Sequence, residues 1–153
     1  MPDPRYELAY DFDPNWGLIL SGGYDADDTI QTTVVSTKDG ANFGSISPMP
    51  VGVVRHCLVI VDDETFFVAG GETGTGISAD VYQYSTYQGG WYEMNGLSTP
   101  RRYPNCGKVR NSNDIEIVVA GGWNVENLNT VEIYNVETQQ WRMAGKGYNS
   151  PQK

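Results

Sequence analysis

The sequence predicts an all-β protein made of three similar units, each a sheet of four short antiparallel strands. Composition gives the first indication, because 18 glycines, 10 tyrosines and 8 prolines among 153 residues favour turns and strands. The second indication is a repeat. A glycine pair ends an apolar run at Gly22-Gly23, Gly70-Gly71 and Gly121-Gly122, at intervals of 48 and 51 residues. A period of this length indicates an array of supersecondary units.

Further markers keep the same register. An aromatic residue follows each glycine pair at nearly constant distance: Phe43, Trp91 and Trp141. Seven residues before that aromatic residue stand Ser36, Tyr84 and Tyr134. Prolines mark the boundaries at positions 2, 50, 100 and 151. We therefore expect one domain over residues 1–153, with units at about residues 5–48, 53–97 and 103–145.

The second unit shows how each element follows from the residues. Strands are expected at about 57–61, 65–69, 80–85 and 90–94. Asp62-Asp63-Glu64 supplies polar turn formers between the first two strands, and the glycine pair allows positive φ where the second strand ends. The alternation Val81-Tyr82-Gln83-Tyr84 gives the third strand one buried and one wetter face. A single sheet of this kind exposes both faces, so the units must stack.

Charge and apolar run lengths exclude several classes of partner. The 19 acidic and 10 basic residues give a formal charge of −9, which disfavours nucleic acid and anionic membranes. No apolar run approaches the roughly 20 residues of a spanning helix, and no apolar signal segment stands at the N-terminus. The absence of an Asn-x-Ser/Thr sequon mildly weakens a secreted assignment. The sequence leaves both cytoplasmic and extracellular locations open.

The third unit carries the clearest family signature. Gly121-Gly122, Tyr134 and Trp141 stand at the spacing of the double glycine, tyrosine and tryptophan of the Kelch repeat, and the chain resembles that family. The second unit matches well, whereas the first has Ser36 and Phe43 in place of the tyrosine and tryptophan.

This resemblance implies a Kelch-type β-propeller with three four-stranded antiparallel blades around a channel. Because closed propellers have about 4 to 8 blades, the ring is expected to be incomplete. We expect a fragment of a longer propeller. The alternative is a half-propeller that closes by homodimerisation with a second copy.

The resemblance also implies a non-catalytic module that binds a protein partner of unidentified class through rim loops. The candidate partner-binding residues after the glycine pairs are Tyr24, Asp25, Glu72, Trp123 and Asn124. The linkers between units add Arg55, Arg101, Arg102 and Tyr103, which would form an anchor set with an exposed Trp123. The competing interpretation is that the aspartates form a solvated loop and the arginines pair with surplus carboxylates.

The sequence contains no recognisable catalytic set, and we expect no enzymatic activity, metal site or cofactor. His56 is the single histidine, too few for a zinc or copper site of ordinary composition, and we expect it to satisfy a backbone group near a turn. The enzymatic alternative is a galactose-oxidase-like protein whose metal ligands lie outside this chain.

Cys57 and Cys106 stand at what we interpret as equivalent positions on the first strands of neighbouring units. They form either a disulfide or two small buried apolar residues. Equivalent positions on neighbouring sheets are expected to exceed the separation of about 7 Å between α-carbons that a disulfide allows, which favours free thiols.

Overall fold

The computed structural model describes residues 1, 3–111 and 114–144. The boundary prolines Pro2 and Pro151, and the last residue of the third predicted unit, lie outside the described residues. Every regular element in the described part is a β-strand.

Three four-stranded antiparallel sheets follow one another along the chain, which confirms the predicted fold class. Blade 1 contains β1 (Ala9–Asp13), β2 (Gly17–Ser21), β3 (Val34–Thr37) and β4 (Gly44–Ile46). Blade 2 contains β5 (Cys57–Ile60), β6 (Thr65–Ala69), β9 (Val81–Ser85) and β10 (Gly90–Met94). Blade 3 contains β11 (Asn105–Arg110), β12 (Ile115–Ala120), β15 (Val131–Asn135) and β16 (Gln140–Met143).

Two small hairpins extend from the loops that follow the glycine pairs. In blade 2 this hairpin contains β7 (Glu72–Thr73) and β8 (Gly76–Ile77), and in blade 3 it contains β13 (Trp123–Asn124) and β14 (Glu126–Asn127). Both lie on the edge of the fan where the second strand of a blade ends and the third begins. We call this edge the rim.

The core lies between the blades, because strand side chains alternate between the two faces of a sheet. We call the face turned towards the preceding blade the leading face and the other the trailing face. Leu58, Ile60, Phe66 and Val68 on the leading face of blade 2 pack with apolar residues of blade 1. On the trailing face, Val59, Val61, Phe67 and Ala69 pack with Ile117, Val119 and Tyr134 of blade 3. Both faces of the middle blade are therefore buried.

The glycine pair allows the end of the second strand to approach closely the segment that leads into the blade. At Gly71, φ is +96° and a β-carbon would lie 2.6 Å from the carbonyl oxygen of Val54. A side chain at this position would need both an unfavourable backbone conformation and displacement of the neighbouring chain. The pair thus fixes the turn and the packing distance together.

Trp91 and Trp141 each form a hydrogen bond with the chain segment that follows the preceding blade. The indole Nε1 of Trp91 donates to the Ser47 carbonyl oxygen at 2.8 Å, and that of Trp141 donates to the Asn95 carbonyl oxygen at 2.7 Å. Phe43 in blade 1 has no such donor and precedes β4. The outer aromatic residue therefore joins two blades in addition to covering a core.

Strand pairing corrects one part of the predicted register. Tyr84 pairs with Phe66 and Tyr134 pairs with Ile117, but in blade 1 the corresponding residue Leu18 pairs with Thr37, not Ser36. In blade 1, Ser36 pairs with Gly44 and not with Phe43, because the β3–β4 turn is one residue shorter than the turns before Trp91 and Trp141. Counting seven residues back from Phe43 therefore gives a position one residue too early.

Candidate functional site

The turns that lead into β1, β5 and β11, the inner strands of the three blades, hold three residues in the left-handed backbone region. Glu7, Arg55 and Tyr103 have φ values of 55°, 56° and 54°, which is uncommon for residues with a β-carbon. Backbone hydrogen bonds connect them in series: Arg55 N donates to Glu7 O at 3.0 Å and Tyr103 N donates to Arg55 O at 2.7 Å. These turns therefore follow one another from blade to blade.

A second row of side chains comes from the residue after each glycine pair. Tyr24, Glu72 and Trp123 form antiparallel bridges with Tyr6, Val54 and Arg102, which immediately precede the left-handed residues. The two rows meet on the rim. We call the resulting group the rim cluster, and its members are Glu7, Tyr24, Arg55, Glu72, Arg102, Tyr103 and Trp123.

Ion pairs hold the two arginines of the rim cluster in place. Arg55 Nε lies 2.6 Å from Glu7 Oε2, and its Nη1 lies 2.6 Å from Glu72 Oε2. Arg102 Nη1 lies 3.0 Å from the same oxygen of Glu72. All four side chains are partly buried, and Glu72 joins blades 2 and 3 through its two arginine contacts.

Aromatic rings surround these arginines. The guanidinium of Arg102 lies 4.2 Å from the centroid of Trp123, and that of Arg55 lies 5.3 Å from the ring of Tyr103 and 5.9 Å from that of Tyr24. These distances fall within the range of cation–π attraction. The rings therefore add a second set of attractive contacts to the ion pairs.

Hydrogen bonds and burial shift the pKa values of Glu72 and Tyr103. Hydrogen bonding from Arg102 lowers the pKa of Glu72, against the opposing effect of burial, and the hydrogen bond from Arg55 adds to the lowering. Burial and the hydrogen bond from the Tyr103 hydroxyl to Glu7 Oε1, 3.0 Å long, raise the pKa of Tyr103. Glu72 therefore stays ionised and Tyr103 stays protonated at neutral pH.

Comparison with known proteins agrees with this architecture. The Kelch motif family matches residues 114–146. An F-box/kelch-repeat protein of Arabidopsis thaliana is 32% identical over 108 residues, covering 67% of this chain and 28% of that protein. A putative F-box/kelch-repeat protein of the same plant is 28% identical over 121 residues, covering 71% of this chain and 34% of that protein. This chain belongs to the Kelch-repeat family. It spans about a third of the length of these two Kelch relatives.

Six of the predicted partner-binding residues come together in the rim cluster: Tyr24, Arg55, Glu72, Arg102, Tyr103 and Trp123. Asp25 lies beside the cluster but serves its own loop, because its carboxylate accepts hydrogen bonds from the backbone of Asp27 and Thr29. Asn124 lies in β13 next to Trp123. The competing interpretation that the arginines pair with carboxylates describes Arg55 and Arg102 correctly, although these pairs are specific and partly buried.

The prediction that Arg101 forms part of an exposed anchor is wrong. Its side chain is 0% exposed and its Nη2 lies 2.6 Å from Glu132 Oε1, on a side chain that is 1% exposed. Its Nη1 donates to the Gly121 carbonyl oxygen at 2.9 Å. Arg101 and Arg102 are adjacent, and the extended chain turns one side chain into blade 3 and the other to the rim.

Glu7 and Tyr6 are not among the residues predicted from the sequence. Glu7 stands 48 residues before Arg55 and 96 before Tyr103, so the repeat register could have found it. Tyr6 stacks on Tyr24 with centroids 5.1 Å apart, and its hydroxyl donates to Asp28. That hydrogen bond raises the pKa of Tyr6 to about 12.

Cys57 and Cys106 are joined by a disulfide with α-carbons 5.9 Å apart, shorter than the separation expected for equivalent positions. The two positions are not equivalent. Cys57 pairs with Ala69, whereas in blade 3 Asn105 pairs with the corresponding Ala120. Cys106 is thus one residue further along its strand, and this step turns it to the leading face, opposite Cys57.

His56 lies inside the protein and not on the rim. Its Nε2 is 2.8 Å from Ser21 Oγ, so it contacts a side chain of the preceding blade where a backbone partner was expected. Within the described ranges, no three metal-ligating side chains lie close enough together to hold an ion. The same residues include no helix long and apolar enough to cross a membrane.

Proposed function

We propose that this chain is a non-catalytic Kelch module that binds a protein partner through the rim cluster. Kelch repeats generally serve as protein-interaction modules. The observation that carries the assignment to this surface is the convergence of two arginines and three aromatic rings from all three blades on one rim. Tryptophan, tyrosine and arginine are the residue types that dominate binding energy at protein interfaces.

The internal contacts of the cluster favour tight binding because they fix its side chains before a partner arrives. Immobilising a long side chain on binding costs about 0.5 to 1.5 kcal/mol. Arg55 is held by two carboxylates and two rings, and Arg102 by Glu72 and Trp123. Tyr103, at 50% exposure, presents ring area to solvent from this rigid frame.

The backbone conformation points to the same rim. A left-handed conformation costs a residue with a β-carbon about 1 to 3 kcal/mol, and such residues concentrate at binding and catalytic sites. Here the conformation recurs in all three blades at the turn that places Glu7, Arg55 and Tyr103. The strained turns orient the first row of the cluster.

Selection from a random peptide display library against the immobilised chain tests the proposal. Selected peptides are titrated against wild type, Trp123→Ala, Arg102→Ala and Tyr87→Ala. Tyr87 is a matched control because it is 84% exposed and lies in the turn between β9 and β10, on the opposite edge of blade 2. Removing a central aromatic side chain from an interface costs about 2 kcal/mol or more of binding free energy. This loss corresponds to a Kd that is weaker by roughly 30-fold.

We expect this weakening for Trp123→Ala, a smaller effect for Arg102→Ala, and none for Tyr87→Ala. Peptides that bind Trp123→Ala as tightly as wild type, or that lose affinity with Tyr87→Ala, would contradict the assignment.

We also propose that further Kelch blades extend this fan into a longer propeller and that one of them covers the leading face of blade 1. Tyr10 and Phe12 on the leading face of blade 1 are 69% and 65% exposed, whereas the corresponding Leu58 and Ile60 of blade 2 are 4% and 1% exposed. Exposed apolar surface of this kind marks an interface. The equivalent residues of blade 2, Leu58 and Ile60, are buried against blade 1. A further blade of the same type would therefore fit against Tyr10 and Phe12.

Sedimentation of the isolated chain tests this second proposal. We expect a monomer that binds an apolar dye. We also expect Phe12→Asp to reduce that dye binding. A stable dimer that Phe12→Asp dissociates would contradict it and would favour the half-propeller that closes with a second copy.

A further inference from the structure

The disulfide joins the inner strands of blades 2 and 3. Cys57 begins β5 and Cys106 is the second residue of β11. The disulfide is close to the rim cluster along the chain, because Arg55 precedes Cys57 by two residues and Tyr103 precedes Cys106 by three. A change at this bond therefore acts on two members of the cluster through very short chain segments.

A cavity of about 320 Å³ borders the disulfide on the side of the inner strands. Its lining includes Cys57, Cys106, His56 and Tyr10. Cys57 itself is buried, while Cys106 is only partly buried. The cavity thus gives a small thiol access to the surface around Cys106, and access is one of the conditions for thiol–disulfide exchange.

Inner strand β11 has fewer other contacts than its neighbour. All four residues of β5 lie buried between blades 1 and 3, whereas β11 has a neighbouring blade on one side only within this chain and most of its residues are exposed. At the blade 1–blade 2 junction, the Asp11 carboxylate accepts a hydrogen bond from Ile60 N at 2.8 Å. Val59 takes the place of Asp11 at the next junction and cannot accept one. The disulfide connects the two strands there, in addition to a hydrogen bond from Lys108 Nζ to Val61 O at 3.1 Å and the apolar contacts of the shared core.

We propose that Cys57–Cys106 is a reversible thiol–disulfide exchange site whose reduction loosens β11 and, with it, the rim cluster. The effect on partner binding rests on the proposed function, while the exchange itself does not.

The reaction consumes two molecules of a small thiol such as glutathione. The first thiolate attacks the Cys106 sulfur, the disulfide breaks, and Cys57 leaves as a thiolate that takes a proton from solvent. A second thiolate attacks the sulfur of the bound small thiol, releasing its oxidised dimer and the Cys106 thiolate, which is then protonated. The protein disulfide gains two electrons and the two small thiols lose them.

Native-state reduction tests the exchange. The folded chain is equilibrated with reduced and oxidised glutathione at varied ratios, newly formed thiols are alkylated, and mass spectrometry counts them. We expect two blocked thiols in reduced buffer without denaturant and none in oxidised buffer. Two free thiols in oxidised buffer, or a disulfide that resists glutathione until the chain is unfolded, would overturn the proposal.

Amide hydrogen exchange on the same samples tests the structural consequence. Reduction is expected to speed exchange in β11 and around Tyr103 and to leave β1 and β2 unchanged. The double variant Cys57→Ser/Cys106→Ser should behave like the reduced chain in either buffer. Should that variant fail to fold, the reduced wild-type chain gives the same comparison. Equal exchange of β11 in both redox states would overturn the proposal.

Peptide binding separates the two proposals. Weaker binding by the reduced chain, together with loss of binding in Trp123→Ala, supports both. Loss in Trp123→Ala with redox-independent binding contradicts only the redox coupling. Selected peptides that ignore Trp123 contradict the rim assignment, while the thiol count and β11 exchange still decide whether the disulfide is reversible.

Discussion

Replacing Arg101 with methionine should strongly destabilise the protein, although its neighbour Arg102 can be replaced at little cost to stability. The Arg101 guanidinium is fully buried and contacts Glu132, the Gly121 carbonyl oxygen and both oxygens of Thr130. Methionine fills similar space but leaves the Glu132 carboxylate buried without its cation. Breaking a buried ion pair on one side costs about 3 to 5 kcal/mol.

The remaining contacts of Glu132 place the expected loss towards the lower half of that range. Backbone N–H groups of Ser98 and Thr99 still donate to its carboxylate, at 2.7 and 3.3 Å. Three backbone carbonyls, those of Thr99, Gly121 and Thr130, lose a charged donor, which adds to the cost. We therefore expect a loss of about 3 to 4 kcal/mol, measured by urea unfolding followed by tryptophan fluorescence.

Two variants make the test specific. Arg102→Met removes a partly exposed pair and should cost about 1 kcal/mol or less. Adding Glu132→Leu to Arg101→Met removes the unpaired charge and should recover much of the stability, since apolar replacements of buried ion pairs are often tolerated. A loss below about 1 kcal/mol for Arg101→Met, or equal losses for Arg101→Met and Arg102→Met, would refute the burial argument.

Three further predictions concern the core. Trp141→Ala should lower the free energy of unfolding by about 3 to 5 kcal/mol, because the indole packs on Tyr134 and bonds to the Asn95 carbonyl; a loss below about 1 kcal/mol would contradict its packing role. Burial lowers the pKa of His56 to about 3, so below pH 6.5 the unfolded chain binds a proton that the folded chain does not. Stability should then fall by about 1.4 kcal/mol for each unit by which the pH is lowered below 6.5. The free energy of unfolding of His56→Gln should depend less steeply on pH than that of wild type, and equal dependence would remove His56 as the cause. Gly71→Ala should lower the free energy of unfolding in urea by about 1 to 3 kcal/mol. Gly74→Ala, whose β-carbon would meet nothing within 4 Å, should change it very little. Equal losses of stability in the two variants would contradict the close approach at Gly71.

The fold was predictable because its determinants repeat along the chain. The glycine pair, the third-strand alternation and the late aromatic residue each act within one blade or between consecutive blades. Blade 1 shows the limit of this approach, since a β3–β4 turn shorter by one residue placed Ser36 where Thr37 lies. Spacing measured along a loop does not determine strand register, because hydrogen bonds across the sheet do.

The candidate site was predictable in its residue types and less so in its geometry. Sequence spacing pointed to Arg55, Arg102, Tyr103 and Trp123 on one rim, but it could not show that Glu7, from the first blade, pairs with Arg55 and Tyr103. Such contacts depend on how neighbouring blades are placed. They become visible only when the turns of successive blades are seen in series.

By itself, the sequence determined the repeat, the strand content and the family, because local propensity and periodicity are written in consecutive residues. Tertiary structure decided which of two adjacent arginines is buried and whether two cysteines meet. In a strand, one step along the chain moves a side chain to the opposite face. Arg101 and Arg102 differ by that step, and Cys106 meets Cys57 because it lies one step beyond the equivalent position.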